Sequence, residues 1–205
     1  MALFEGLILV AVITVLAAAY YFLFQKDKSG KAEHSGNLSA TAAAAKPLAA
    51  AKRFALLQQY QLIAPAHLAK NGKFADLDFI LVGVFGLLCV KCVGLGGEIY
   101  GNAGDQNWLQ VQKGTRTTFQ NPLMQADSDT RLVRDALFTA KLKNVPVDTI
   151  VIFTNKKAAL ALPRSTGHYT PKEFKKLLGK SSLLANKGID IAKATDAVRA
   201  YIAEA

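Results

Sequence analysis

Hydrophobic and polar residues divide the chain into three parts. Residues 7–24 are apolar apart from one threonine. The next segment is richer in Lys, Ser, Gly and Asn and ends in a run of alanines. From Pro47 onwards, short apolar runs alternate with turn residues, which is typical of a folded domain. The pattern predicts three regions: a transmembrane anchor over residues 1–25, a basic, alanine-rich tether over residues 26–46 and an α/β domain over residues 47–205.

The apolar run is long enough to cross a membrane. At about 1.5 Å per residue, a helix of this length covers most of the roughly 30 Å hydrocarbon layer. Lys26, Lys28 and Lys31 follow it, whereas the residues before it contain no Lys or Arg. Segments rich in Lys and Arg next to a membrane span stay on the cytoplasmic side. We therefore expect a single-pass protein embedded through residues 3–24, with an external N-terminus and a cytoplasmic domain. The alternative is a signal peptide cleaved near Ala17–Ala19, but a cationic start is missing and apolar residues continue beyond that site.

Patterns within the domain predict alternating helices and strands. A helix is expected from Pro47, because proline suits a first helical turn and apolar residues follow at helical spacing. Asn71-Gly72 indicates a turn, and residues 86–93 are nearly all apolar, as in a strand covered on both faces. The other expected elements are strands at 74–82, 108–112, 115–119 and 147–154, a helix from Pro122, and helices at 171–178 and 189–204. Their order predicts an α/β domain with a central mixed sheet flanked by helices.

Short motifs in the middle of the chain form an ordered set. They are the strand Leu77–Val82 with Asp78, the strand Gly86–Val93, the turn Gly97–Gly101 followed by Trp108, the helix start Asn121–Gln125 and the strand Val147–Thr154. The set resembles the nuclease-related domain (NERD) family of the restriction-endonuclease-like, PD-(D/E)xK superfamily. The resemblance implies a restriction-endonuclease-like fold and a metal-dependent nuclease site, built from an aspartate, a Glu-x-Lys strand and a helix-start glutamine.

The nuclease motif is altered in this chain. Metal-dependent cleavage needs carboxylates that hold a divalent cation and a lysine that stabilises charge on the phosphate. Asp78 stands at the aspartate position, but Lys91 replaces the glutamate and Val93 replaces the lysine of Glu-x-Lys. An ammonium group at that point repels a second cation. We therefore expect Asp78, Lys91 and Gln125 to be remnants of an inactive site that needs no cofactor.

Several alternatives remain at this site. Lys91 can pair with Asp78 inside the protein, which we favour because buried charges need partners, or turn to solvent at the strand end. An active nuclease is still conceivable if Asp78, Asp76 and Glu98 form a rearranged site for Mg²⁺ or Mn²⁺. Gln125 either faces the site or is an ordinary helix-surface residue.

Cysteine and tryptophan residues are expected to be structural. Cys89 and Cys92 form a Cys-x-x-Cys sequence, but residues three apart on a strand face opposite sides, so their sulfurs cannot readily meet. We expect both thiols, and also Trp108, to pack in the core.

The composition adds a basic surface. The chain has 25 Lys and Arg against 15 Asp and Glu, a net charge of +10. Such an excess suits the phosphates of nucleic acid or the anionic inner leaflet of a membrane. The candidate surface residues are Lys141, Lys143, Lys156, Lys157, Lys172, Lys175 and Lys176. The expected function is a membrane-anchored binding module for nucleic acid, anionic lipid or a protein partner that the sequence leaves unidentified.

Overall fold

The computed structural model describes residues 36–203. The predicted anchor and residues 26–35 of the predicted tether lie outside these residues. Within residues 36–203, no helix is long and apolar enough to cross a membrane. In chain order the elements are α1 (Ala40–Gln58), β1 (Gln61–Ile63), β2 (Ala66–Lys70), β3 (Lys73–Leu77), β4 (Phe79–Gly83), β5 (Gly86–Val93), β6 (Gly97–Tyr100), β7 (Asn107–Gln112), β8 (Thr115–Gln120), α2 (Pro122–Thr139), β9 (Val147–Phe153), β10 (Ala158–Ala161), α3 (Pro171–Leu178) and α4 (Ile191–Arg199).

The first sheet has the strand order β1-β4-β5-β9. β5 and β9 are parallel, whereas the β1–β4 and β4–β5 pairs are antiparallel. Helices α1 and α3 contribute side chains to the core on one face, and α2 and α4 to the core on the other. The predicted mixed sheet flanked by helices is thereby confirmed.

Alternation along β5 sends neighbouring side chains into different cores. Leu88, Val90 and Cys92 pack with α1 and α3, whereas Leu87 and Cys89 pack with α2 and α4. The two cysteines are free and buried, as predicted. Burial raises the pKa of the Cys89 thiol to about 12, so this thiol is protonated at neutral pH and unsuited to redox exchange.

A second sheet has the strand order β10-β6-β7-β8, and β2 pairs with β3 as a separate hairpin. Trp108 is buried in this region, and its ring stacks on Phe153 with the centroids 6.1 Å apart. The prediction that Trp108 is a core residue is therefore correct. The sequence did not predict β10, because its Ala-Ala-Leu-Ala sequence contains no β-branched or aromatic residue.

Helix α1 begins earlier than predicted. It starts at Ala40 rather than Pro47, with the Ser39 side chain accepting a hydrogen bond from the Ala42 N–H. Alanine has the highest helix propensity, so the alanine run extends the helix into the predicted tether. Ala43 and Ala44 pack in the core beside α3.

The prediction of a single strand over residues 74–82 is also wrong, because two strands occupy this range. It is divided into β3 and β4 by a bend at Asp78. The Asp78 N–H donates to the Val90 carbonyl at 3.0 Å, and its carboxylate accepts the Cys92 N–H at 2.6 Å. Because the side chain replaces a backbone acceptor, the chain can leave one strand pair and enter another. The last helix is shorter than predicted, at Ile191–Arg199.

Asn121 fixes the start of α2 to the loop before β7. Its Oδ1 accepts the Leu123 N–H at 2.9 Å, and its Nδ2 donates to the carbonyls of Ala103 and Asp105 at 3.0 and 2.7 Å. The side chain is fully buried. The predicted helix start is thus confirmed, together with a loop anchor that the sequence did not reveal.

Replacing Asn121 by alanine should destabilise the fold. The variant loses a helix cap and the amide that donates to the carbonyls of Ala103 and Asp105, which together cost about 2–4 kcal/mol. Urea unfolding measures this difference. Gln120→Ala, at the exposed neighbouring position, is the control and should change the free energy of unfolding by less than about 0.5 kcal/mol. Equal effects of the two substitutions would contradict the anchoring role.

Candidate functional site

Three elements bring charged residues together on the α2 side of the first sheet. β3 carries Asp76, β5 carries Lys91, and α2 carries Gln125 and Asp129. The bend between β3 and β4 places Asp78 next to the strand that contains Lys91. We call Asp76, Asp78, Lys91 and Asp129 the aspartate–lysine cluster.

Lys91 faces inward and is held by oxygen atoms of β3. Its Nζ lies 2.5 Å from Asp76 Oδ2 and 2.6 Å from the Asp76 carbonyl oxygen. The Lys91 side chain is only 18% exposed. The inward orientation therefore agrees with the favoured prediction, and the solvent-facing alternative is wrong.

The predicted partner of Lys91 is incorrect. Asp76, and not Asp78, forms the ion pair. The Asp78 Oδ2 accepts the Cys92 backbone N–H, so this carboxylate is directed along the edge of β5. The sequence pattern could not separate the two acids, because residues two apart share a face on a continuous strand and the bend was not foreseen.

Two further residues complete the site and were missed from the sequence. His67 lies opposite Asp76 in the β2–β3 hairpin, and its Nδ1 is 2.7 Å from Asp76 Oδ1. Asp129 lies on α2, and its buried Oδ2 has no hydrogen-bond partner among the described residues. Gln125 and Asp129 are four apart, which places both on one side of a helix; that spacing was the available signal.

The acids of the cluster have pKa values shifted in opposite directions. Burial is the largest influence on Asp76 and opposes its ionisation, but hydrogen bonds and charges from Lys91 and His67 together lower its pKa. Burial raises the pKa of Asp78, against the lowering effects of the Cys92 N–H and Lys91. Burial also raises the pKa of Asp129. Of the three carboxylates, that of Asp76 is therefore the one whose ionised form the fold favours, and it is the one that pairs with Lys91.

The acids around Lys91 are not grouped as a set of metal ligands. Within residues 36–203, no three His, Cys, Asp or Glu side chains are grouped so as to hold a metal ion. Glu98 lies on β6 of the second sheet, and its carboxylate accepts a hydrogen bond from the Tyr100 hydroxyl. The proposed set of Asp76, Asp78 and Glu98 is therefore not assembled. The ammonium of Lys91 takes the oxygen atoms that a cation would require.

An open cavity of about 390 Å³ lies beside the cluster. Its polar lining comes from His67, Asp76, Gln125 and Asp129. Gln125 therefore faces the site, which agrees with the first of its two predicted arrangements. Phe74, which is 79% exposed, supplies an apolar wall.

The seven predicted surface lysines are all exposed, but they lie in three separate segments. Two follow α2, two lie between β9 and β10, and three are on α3. Lys172 and Lys175 line a groove together with Lys46 and Arg53 of α1. The sequence contained a signal for this grouping, because no acidic residue occurs between Glu33 and Asp76.

Comparison with known families identifies the class of this domain. The model of the nuclease-related domain, NERD, matches residues 38–154, which is more than half of the 205 residues. The chain therefore belongs to the nuclease-related domain family, as its motifs predicted. The matched region contains Asp78, Lys91 and Gln125 and includes α1. A comparison with curated proteins found no match.

Replacing Asp76 by asparagine should destabilise the protein by about 1–2 kcal/mol, because Lys91 loses a charged hydrogen bond that water only partly screens. Asp127→Asn is the matched control. Asp127 pairs with Arg131 and Arg134 on the surface of α2, and such pairs contribute about 0–1 kcal/mol. Urea unfolding at pH 7 compares the two variants. A smaller effect at Asp76 than at Asp127 would contradict the importance of the Lys91 pair.

The effects of Asp76 and Asp129 should depend on pH with opposite signs. Because the pKa of Asp76 is lowered on folding, its ionised form stabilises the protein above its ordinary pKa of 3.8, and this contribution is lost as the pH falls through the folded value. Because the pKa of Asp129 is raised, its ionised form is destabilising at pH 7. Asp129→Asn should therefore stabilise at pH 7, and its advantage should disappear below pH 3.8. Unfolding measured from pH 7 to pH 3 tests both signs, and the same sign for both variants would contradict the charge assignment.

Proposed function

We propose that this chain is a membrane-anchored binding module that uses a nuclease-related domain without nuclease activity. The observation that carries the proposal is the position of Lys91. Its ammonium group contacts both the side chain and the backbone of Asp76, at the position where the family motif has a metal-binding glutamate. A fixed internal cation there replaces the divalent ion electrostatically.

The electrostatic argument is simple. A divalent cation at contact distance from Lys91 would meet a repulsion of several kcal/mol, even at an effective dielectric constant of about 20. Asp76 is already paired with Lys91 and His67, and Asp78 holds a backbone N–H. The remaining acid, Asp129, has a raised pKa. Two of the three carboxylates are thus already engaged within the protein, and burial opposes ionisation of the third.

The rival function is a metal-dependent nuclease that uses rearranged acids. Its support is the position of Asp76 near two further acids, since the charge of Asp76 contributes to the raised pKa of both Asp78 and Asp129. This set differs from the one predicted, since Asp129 takes the place of Glu98. The rival requires Lys91 to leave Asp76 before a cation can enter.

The anchor is supported by the sequence alone. The apolar run at residues 7–24 and the lysines that follow it favour a single membrane span through residues 3–24, with the domain on the cytoplasmic side. The net charge of +10 favours an anionic binding partner, either lipid or nucleic acid.

Metal binding distinguishes the two functions. The full-length protein should show no increase in melting temperature with Mg²⁺ or Mn²⁺ and should leave plasmid DNA intact. Restoring the family motif with Lys91→Glu and Val93→Lys should create a cation site that calorimetry detects. At about one hundred times the Kd, the cation should stabilise this variant by about 2.7 kcal/mol.

A matched variant with Lys91→Gln and Val93→Lys removes the internal cation without adding a carboxylate. This variant should not gain metal binding. That result would show that the carboxylate introduced by Lys91→Glu, rather than altered packing, forms the cation site. Metal-dependent cleavage by the unaltered protein that Asp78→Asn abolishes would overturn the proposal in favour of the rival.

A further inference from the structure

An open groove of about 910 Å³ lies between α1 and α3, away from the aspartate–lysine cluster. Most of its wall is apolar, formed by Phe54, Leu57, Phe174, Leu178 and Leu184. Phe174 and Leu178 belong to the core beneath it. The groove is therefore attached to the rigid centre of the fold rather than to a loose loop.

Large aliphatic side chains are exposed at this groove. Leu57 is 74% exposed and Leu184 is 46% exposed, and the adjacent Leu56 is 82% exposed. Single exposed leucines are common on protein surfaces. A cluster of them beside an apolar groove instead indicates a surface that contacts another apolar phase.

The rim of the groove is positive. Lys46 and Arg53 on α1 and Lys172 and Lys175 on α3 line it, and no acidic residue does. Within the described part of the chain, none of these four cations forms an ion pair. Glu173, the acid of α3, instead caps its own helix by accepting the Thr170 N–H at 2.8 Å.

We infer that this groove docks the domain onto the surface of an anionic lipid bilayer. The leucines enter the boundary between headgroups and acyl chains, and the four cations contact lipid phosphates. Aliphatic side chains favour a bilayer over nucleic acid, whose bases stack on aromatic rings. The inference rests on the proposed membrane anchor, since only residues 25–39 separate the apolar run from α1.

A fluorescent label at the groove tests the docking. In the full chain, Leu57→Cys introduces an exposed thiol, while the native Cys89 and Cys92 are buried. An environment-sensitive fluorophore at this thiol should shift to shorter wavelength in phosphatidylcholine nanodiscs that contain phosphatidylglycerol, and should shift much less in pure phosphatidylcholine nanodiscs. Leu184→Cys should report the same difference independently.

The matched control carries the label at Phe138→Cys. Phe138 is 62% exposed on α2, and the Lys143 ammonium lies 4.9 Å from its ring, so it is also an apolar residue beside a cation. A label there should not respond to phosphatidylglycerol. Adding Lys172→Gln and Lys175→Gln to the Leu57→Cys protein should reduce the ratio of docked to undocked domain about 25-fold, at roughly five-fold per cation.

Three outcomes would overturn the inference: no dependence on phosphatidylglycerol at either groove label, an equal shift at Phe138, or a shift that soluble DNA produces without lipid. The nuclease and metal-binding measurements do not involve groove residues, so failure of the docking surface and failure of the non-catalytic assignment are distinguishable.

Discussion

The side chain of Lys91 is only 18% exposed, so its ammonium group needs oxygen atoms around it, and the β2–β3 hairpin supplies them. Asp76 on β3 supplies both its carboxylate and its carbonyl oxygen to Lys91, and His67 on β2 completes the contacts of the carboxylate. The hairpin belongs to neither larger sheet. The hairpin is thus held by apolar packing against α2 and by one charged contact with β5.

The elements buried on both faces were predictable, and the elements defined by single polar contacts were not. The run over residues 86–93 matches β5 at both ends, because a strand covered on both sides needs apolar residues throughout. The division at Asp78 depends on one side chain that replaces a backbone carbonyl, and no periodicity reveals such a replacement. The early start of α1 follows from helix propensity, which outweighed the proline that suggested a later start.

The sequence predicted that the motif residues lie near one another, but it did not predict their contacts. Asp78, Lys91 and Gln125 lie in one region, as the family resemblance implied. Their contacts were set by residues outside the motif, namely Asp76, His67 and Asp129, which only the folded hairpin and the first turns of α2 bring close. Sequence motifs report which positions share a pocket. The partner of a buried charge depends on backbone bends of one or two residues.

Asp78 has a structural role at the bend between β3 and β4. Its carboxylate satisfies a backbone amide of β5, so the acid is useful to folding even where no reaction takes place. An aspartate at this point in a related chain is therefore weak evidence of phosphodiester cleavage. The identity of the residue at position 91 is the more informative marker, because a carboxylate at that position attracts a metal ion and an ammonium group repels it.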